Sequence, residues 1–172
     1  ISSEGANSAL NTYLTCINAS DRDLEYFINE LRNIGRPVVL VFFGDHQPSA
    51  ATTLNDELYP QEDTASHAFR TYQSTYFVWA NYEIAGNTEL NVYDPVGANE
   101  IAAITLNKIG APLTDYQKAL LATRSDVPTI NVAGYLGADG LRYDLESEDS
   151  PYASTIDKLQ RMQYLEFASK VQ

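Results

Sequence analysis

Cysteine is almost missing from this chain. Cys16 is the only one, so no intrachain disulfide can form and no cysteine cluster can build a zinc knuckle or ribbon. Its place in a helical pattern marks it as a buried helix residue. Long apolar runs are missing as well: a membrane-spanning helix needs about 18 or more consecutive apolar residues, and a signal peptide needs a basic segment followed by an apolar one. Neither occurs, and the chain reads as soluble and without a membrane segment. Positive charge is scarce, with 11 Lys plus Arg against 23 Asp plus Glu and a formal net charge of -12. That sign repels a phosphate backbone and argues against nucleic acid as a partner. The acidic excess itself reads as a solvated surface.

What is present suits a folded domain. The 172 residues are 44% hydrophobic, enough to bury a core, and the expectation is a single unit over residues 1–172. Within it, residues 8–125 read as an α/β core and residues 126–172 as a β-hairpin with a C-terminal helix. Leu10, Tyr13, Leu14, Ile17, Leu24, Phe27, Ile28, Leu31 and Ile34 recur at helical spacing, with Ser20 as a candidate interruption, and Gly35 and Pro37 close the helix. The continuous apolar run from Val38 to Phe43 predicts a strand buried on both faces. Thr75 to Ala80 predicts a second core strand, with Trp79 as a core residue.

Between those strands, Gln47 to Ser66 reads as a long polar excursion with a short helix around Thr53 to Leu58. Beyond them, a helix carries Ile101, Ile104, Leu106 and Ile109 and stops at Gly110. Thr114 and Gln117 have capping-box spacing for a further helix to about Thr123. Thr129 to Val132 and Leu141 to Leu145 predict a small antiparallel appendage, turned by the stretch Gly134 to Gly140. Ile156, Leu159, Met162, Leu165 and Ala168 predict a last helix from about Ser154 to Lys170.

The residues best suited to chemistry are Asp45 and His46. They follow Gly44 at the carboxyl end of the first strand, where open α/β sheets bind ligands. An ionised Asp and a neutral His can share one divalent cation, and a preceding glycine lets the backbone turn beside it. Read alone, Asp45 serves equally well as the cap of a local turn and His46 as a loop residue. His67 has nothing local to fix it at a site and reads as a surface residue. Arg70, Tyr72, Gln73 and Asn81 are compatible with an anionic head group, and equally with interstrand hydrogen bonds and surface exposure.

The stretch Val38 to Pro48, Val-Val-Leu-Val-Phe-Phe-Gly-Asp-His-Gln-Pro, resembles the closing metal motif of the sulfatase-like lipoteichoic acid synthase and phosphoglycerol transferase family, within the alkaline phosphatase superfamily. Three further segments, Asp23 to Leu31, Tyr72 to Asn81 and Leu113 to Gln117, resemble successive family segments. Together they span most of Leu10 to Phe167. The resemblance implies the carboxy-terminal portion of an alkaline-phosphatase-like α/β fold, with buried central strands flanked by helices. It implies Asp45 and His46 as paired metal ligands, with manganese or magnesium as the cation and zinc as a further candidate.

It also implies a parent enzyme anchored in a bacterial membrane with this portion on the extracellular face. That enzyme would transfer glycerol phosphate from a phospholipid head group, or cleave a related phospho- or sulfoester, in contact with cell-envelope glycopolymer. The family's Thr nucleophile and first acidic ligand belong upstream of Leu10, and no Cys-x-Pro-x-Arg motif occurs. No catalytic residue is therefore assigned, and weak metal binding and little turnover are expected of the chain alone. The rival expectation is a non-catalytic module that binds an envelope glycan or a protein, in which Gly-Asp-His is structural.

Overall fold

A computed structural model of the chain describes residues 8–85 and 94–171. The architecture is mixed α/β, with helices, two small antiparallel sheets and a C-terminal helix, as the sequence leads one to expect. By their contacts the residues fall into two compact units. One holds residues 1–64 and 73–83, and the other residues 65–72 and 84–172.

The first unit begins with α1, Ser8–Arg32, which runs through Ser20 without interruption. Only Leu10 and Leu31, near its two ends, are buried. The middle is open, with Ile17 and Phe27 both exposed. Cys16 is exposed rather than buried: six residues beyond Leu10, it lies about a third of a turn round the helix from it. Strand β1, Val39–Phe43, pairs antiparallel with β2, Tyr76–Ala80, in the register Val39 to Ala80 and Phe43 to Tyr76.

These strands are half-buried rather than fully covered. Phe43 is 58% exposed, Phe42 stacks on Phe77 at 5.1 Å yet is also exposed, and Trp79 is half-buried. A two-stranded ribbon gives each strand one neighbour and too few layers to shield two faces. The polar excursion contains a 3₁₀ turn, Ser49–Ala51, that packs against α1, then α2, Thr52–Leu58.

Asn81 ties the end of α1 to the start of β1. Its Nδ2 donates to the carbonyls of Leu31, Ile34 and Arg36 at 3.2, 3.4 and 3.0 Å, and its Oδ1 accepts the Val38 N–H at 2.9 Å. The Asn81 N–H donates in turn to the Val38 carbonyl at 3.2 Å. Helix ends leave carbonyls without intrahelical donors, and this one amide serves the turn that follows α1 while setting where β1 begins. Asn81 is thus a structural clamp and not a ligand-binding residue at the strand end.

The second unit includes most of α3, Thr64–Thr71, a helix that the sequence pattern does not reveal. It continues with α4, Ile101–Lys108, and α5, Asp115–Thr123. The Thr114 capping box forms: Gln117 N–H donates to Thr114 Oγ1 at 3.2 Å and Thr114 N–H to Gln117 Oε1 at 2.9 Å. Gly110 ends the α4 region at φ +69°, where a side chain would be strained.

The expected hairpin has three strands, because the glycine-bearing stretch contains one of its own. The strands are β3, Thr129–Asn131, β4, Gly134–Leu136, and β5, Arg142–Tyr143, in that order. They lie in the same unit as α4 and α5.

The last helix, α6, Ala153–Lys170, buries Thr155, Ile156 and Leu159. Ala103, Leu120 and Leu159 form one core cluster, and Val127, Tyr135 and Ile156 another. Leu165 is 65% exposed. A strict three-residue spacing drifts about 60° per step around a helix, so Leu165 stands roughly opposite Ile156.

Replacing Asn81 with Ala removes one acceptor and one donor group that together serve four backbone partners. A loss of about 2 kcal/mol is expected in urea unfolding. Asn81→Asp keeps the acceptor but sets a carboxylate against three carbonyls, and is expected to cost at least as much. Wild-type stability in both variants would contradict the clamp.

Candidate metal centre

The ladder between β1 and β2 extends one residue past the strand, where Gly44 N–H donates to the Thr75 carbonyl at 3.0 Å. A Cβ on Gly44 would meet the Ser74 hydroxyl, which would have to turn aside to make room. The chain then leaves the sheet, and Asp45 and His46 follow side by side in solvent, with side chains 82% and 68% exposed.

Asp45 uses Oδ1 to accept the His46 N–H at 2.9 Å, which orients the carboxylate against its own turn. Its Oδ2 stands 3.3 Å from His46 Nε2. On the other side of the ring, His46 Nδ1 is 3.0 Å from the Gln47 carbonyl. A carbonyl only accepts, so this contact requires the proton on Nδ1. The neutral ring then presents a lone pair at Nε2, beside the lone pairs of Asp45 Oδ2.

That approach is met by a proton on Nε2, as in an Asp–His ion pair, or by a cation shared between the two atoms. Ligands each about 2.1 Å from one cation stand about 3.0 Å apart at octahedral angles and about 3.4 Å apart at tetrahedral angles. The observed 3.3 Å falls in that interval. A ring proton held by a backbone carbonyl is also the usual outer partner of a metal-bound histidine. The residues present therefore fit a divalent cation. They supply only part of its shell, because among the described residues no group of three or more His, Cys, Asp or Glu is placed to hold a metal ion.

Of the other residues weighed from sequence, Asn81 is held in the clamp between α1 and β1. His67 and Arg70 lie on α3, the first half-buried and the second buried, in the unit that does not contain Asp45. Tyr72 is exposed. Gln47 and Asn55 were missed by sequence reasoning. Asn55 Nδ2 donates to Gln47 Oε1 at 2.9 Å, joining α2 to the residue whose carbonyl holds His46. No motif announces such a bridge, which depends on how the turn folds.

Among the described residues of the second unit, Glu100 is a strongly perturbed carboxyl, only 1% exposed at the entry to α4. Burial pushes its pKa up to about 7, and the Arg124 guanidinium at 3.7 Å and the Gly97 N–H at 3.4 Å offset this only in part. Arg124 is engaged more closely by Asp94, at 2.6 Å. In the same unit Tyr143 donates to Asp139 Oδ2 at 2.7 Å; this bond lifts the phenol pKa to about 12 and lowers that of the carboxyl. These partners account for both groups, which read as structural.

A model of the Sulfatase family matches residues 2–103. No curated protein and no solved structure matches the chain.

Because the folded pKa of Glu100 exceeds its ordinary value of 4.5, the fold favours the protonated acid. This group's contribution to stability is full below that value and is lost as the pH rises through about 7. Glu100→Gln is expected to flatten the fall in unfolding free energy between about pH 4.5 and about pH 7, measured with urea. An identical fall in variant and wild type would contradict the assignment.

Proposed function

The chain belongs to the sulfatase family, within the alkaline phosphatase superfamily, and on that premise we propose that it forms part of a metal-dependent enzyme acting on phospho- or sulfoesters. Asp45 and His46 are two of the metal's ligands in this reading. The observation that carries it is the 3.3 Å approach of Asp45 Oδ2 to His46 Nε2, with the far ring nitrogen held by a backbone carbonyl. A bound divalent cation supplies positive charge that activates an attacking oxygen and stabilises the transferring group. Manganese or magnesium suits an oxygen-rich shell, and zinc suits the imidazole equally well.

The chain's own residues hold this half of the site in place. Gly44 closes the strand ends, the Asp45 carboxylate is fixed by the His46 N–H, and the Gln47 carbonyl turns the ring. The remaining ligands and the Thr nucleophile lie, in this reading, in residues outside this chain. Three protein ligands with an open position are usual for a catalytic metal, so weak binding and little turnover follow for the chain by itself. The thin cover over β1, with Phe42 and Phe43 exposed, accords with further layers of the same domain packing there.

Within the family reading, the substrate class we favour is a glycerol phosphate donor in the form of a phospholipid head group, with an envelope glycopolymer as acceptor. The residues from Val38 to Pro48 support that choice through their resemblance to the closing motif of the phosphoglycerol transferases. The site would then face the outside of a bacterial membrane, with the anchor elsewhere in the parent protein. Among the described residues no helix is long and apolar enough to cross a membrane.

In an enzyme that contains this chain with the rest of its sulfatase domain, Asp45→Asn is expected to lower metal-dependent release of glycerol phosphate, or of a chromogenic phosphoester product. The loss in kcat/KM should exceed about 100-fold, with the circular dichroism spectrum unchanged. Turnover equal to wild type would remove Asp45 from the site.

A further inference from the structure

Strand β1 has an outer edge with no strand beside it, and we propose that this edge pairs antiparallel with the same edge of a second copy of the chain, across a two-fold axis. In the β1–β2 ladder, Gly44 N–H donates to the Thr75 carbonyl and Asn81 N–H to the Val38 carbonyl. Residues along an antiparallel strand bond alternately toward the partner and away from it. The register therefore turns Val38, Leu40, Phe42 and Gly44 toward β2, and points the N–H and C=O groups of Val39, Val41 and Phe43 outward. Among the described residues no strand receives them, because this sheet has only the order β1-β2.

Sheets commonly guard such an edge with a charge, a proline or a bulge. Val38 to Phe43 contains no charged residue, no proline and no glycine, and Phe42 and Phe43 are exposed. Layers packed on the faces of the ribbon would not satisfy these backbone groups, which lie in the plane of the sheet. The occupant they call for is an extended, uncharged strand, bound mainly through its backbone.

A second copy supplies one in matching register. With Val41 opposite Val41 on the two-fold axis, Val39 falls opposite Phe43, so each outward residue meets another outward residue and the two exchange both hydrogen bonds. Charge favours the same place. Two copies of net charge -12 repel, but at physiological salt the repulsion is screened beyond about 8 Å. Close contact is then tolerated where acidic residues are absent, as they are throughout β1.

Sedimentation of the chain over a series of concentrations is expected to show its mass doubling, with hydrogen exchange slowing in step at the Val39, Val41 and Phe43 amides. The Leu40 and Phe42 amides, already bonded to β2, are expected to exchange alike in monomer and dimer. Val41→Lys places like charges opposite each other on the axis, and is expected to weaken the dimer at least about 10-fold with the circular dichroism spectrum unchanged. Val41→Glu should do the same, and mixing the two variants is expected to restore a dimer. If either substitution unfolds the ribbon, the exchange pattern of the wild type still decides.

A chain that stays monomeric at every concentration overturns the proposal. So does a dimer whose three outward amides exchange as in the monomer, or growth into open-ended aggregates. In an enzyme that contains the rest of the sulfatase domain, a monomer with these amides protected would give the edge to a strand of that domain and overturn pairing with a copy.

Discussion

The Asn81 side chain governs the geometry of the first unit. One amide group satisfies carbonyls at the end of α1 and in the turn beyond it, and pins the first backbone N–H before β1. Asn81 also follows directly on β2, so the same residue fixes helix end, strand start and partner strand together. The strand then has only five residues before it delivers Gly44, Asp45 and His46 to its far end. A shift in the clamp would move the register of β1, and a slip of one residue would turn every side chain to the other face. Asp45 and His46 are exposed and lean only on their own turn, so their placement is inherited from this anchor.

Local sequence carried much of this, and for a physical reason. Thr114 and Gln117 meet across a single helical turn, so their spacing alone foretells the reciprocal hydrogen bonds. Asp45 and His46 are adjacent, so their approach needs no tertiary folding beyond a sharp turn after Gly44. Where spacing and fold part company, the sequence misled. The helix Thr64–Thr71 buries only Phe69 and Arg70, too little apolar signal to stand out from a polar excursion. Strand Gly134–Leu136 hides among glycines that read as a turn, although Gly134 sits at φ +138° against the Tyr143 carbonyl, where a Cβ would not fit.

Burial was the least legible property. A continuous apolar run states that Val38 to Phe43 suits a covered strand but says nothing of how many layers are present to cover it. Cys16, Ile17 and Phe27 are exposed for the same reason: α1 is packed near its ends and open in the middle. The Asn55 to Gln47 bridge was equally invisible, because it arises only when Pro48 and the 3₁₀ turn fold α2 back toward the strand end. Adjacency brings Asp45 and His46 together, and the surrounding turn supplies their orientation.

The central claim is that Asp45 and His46 together receive a divalent cation. Paramagnetic broadening by substoichiometric Mn²⁺ tests it most directly, since it detects weak binding and maps it to residues in the backbone amide spectrum of this chain. The account requires broadening centred on Gly44 to Gln47 that disappears in Asp45→Asn. Broadening confined to other acidic stretches, or unchanged by that substitution, would contradict it.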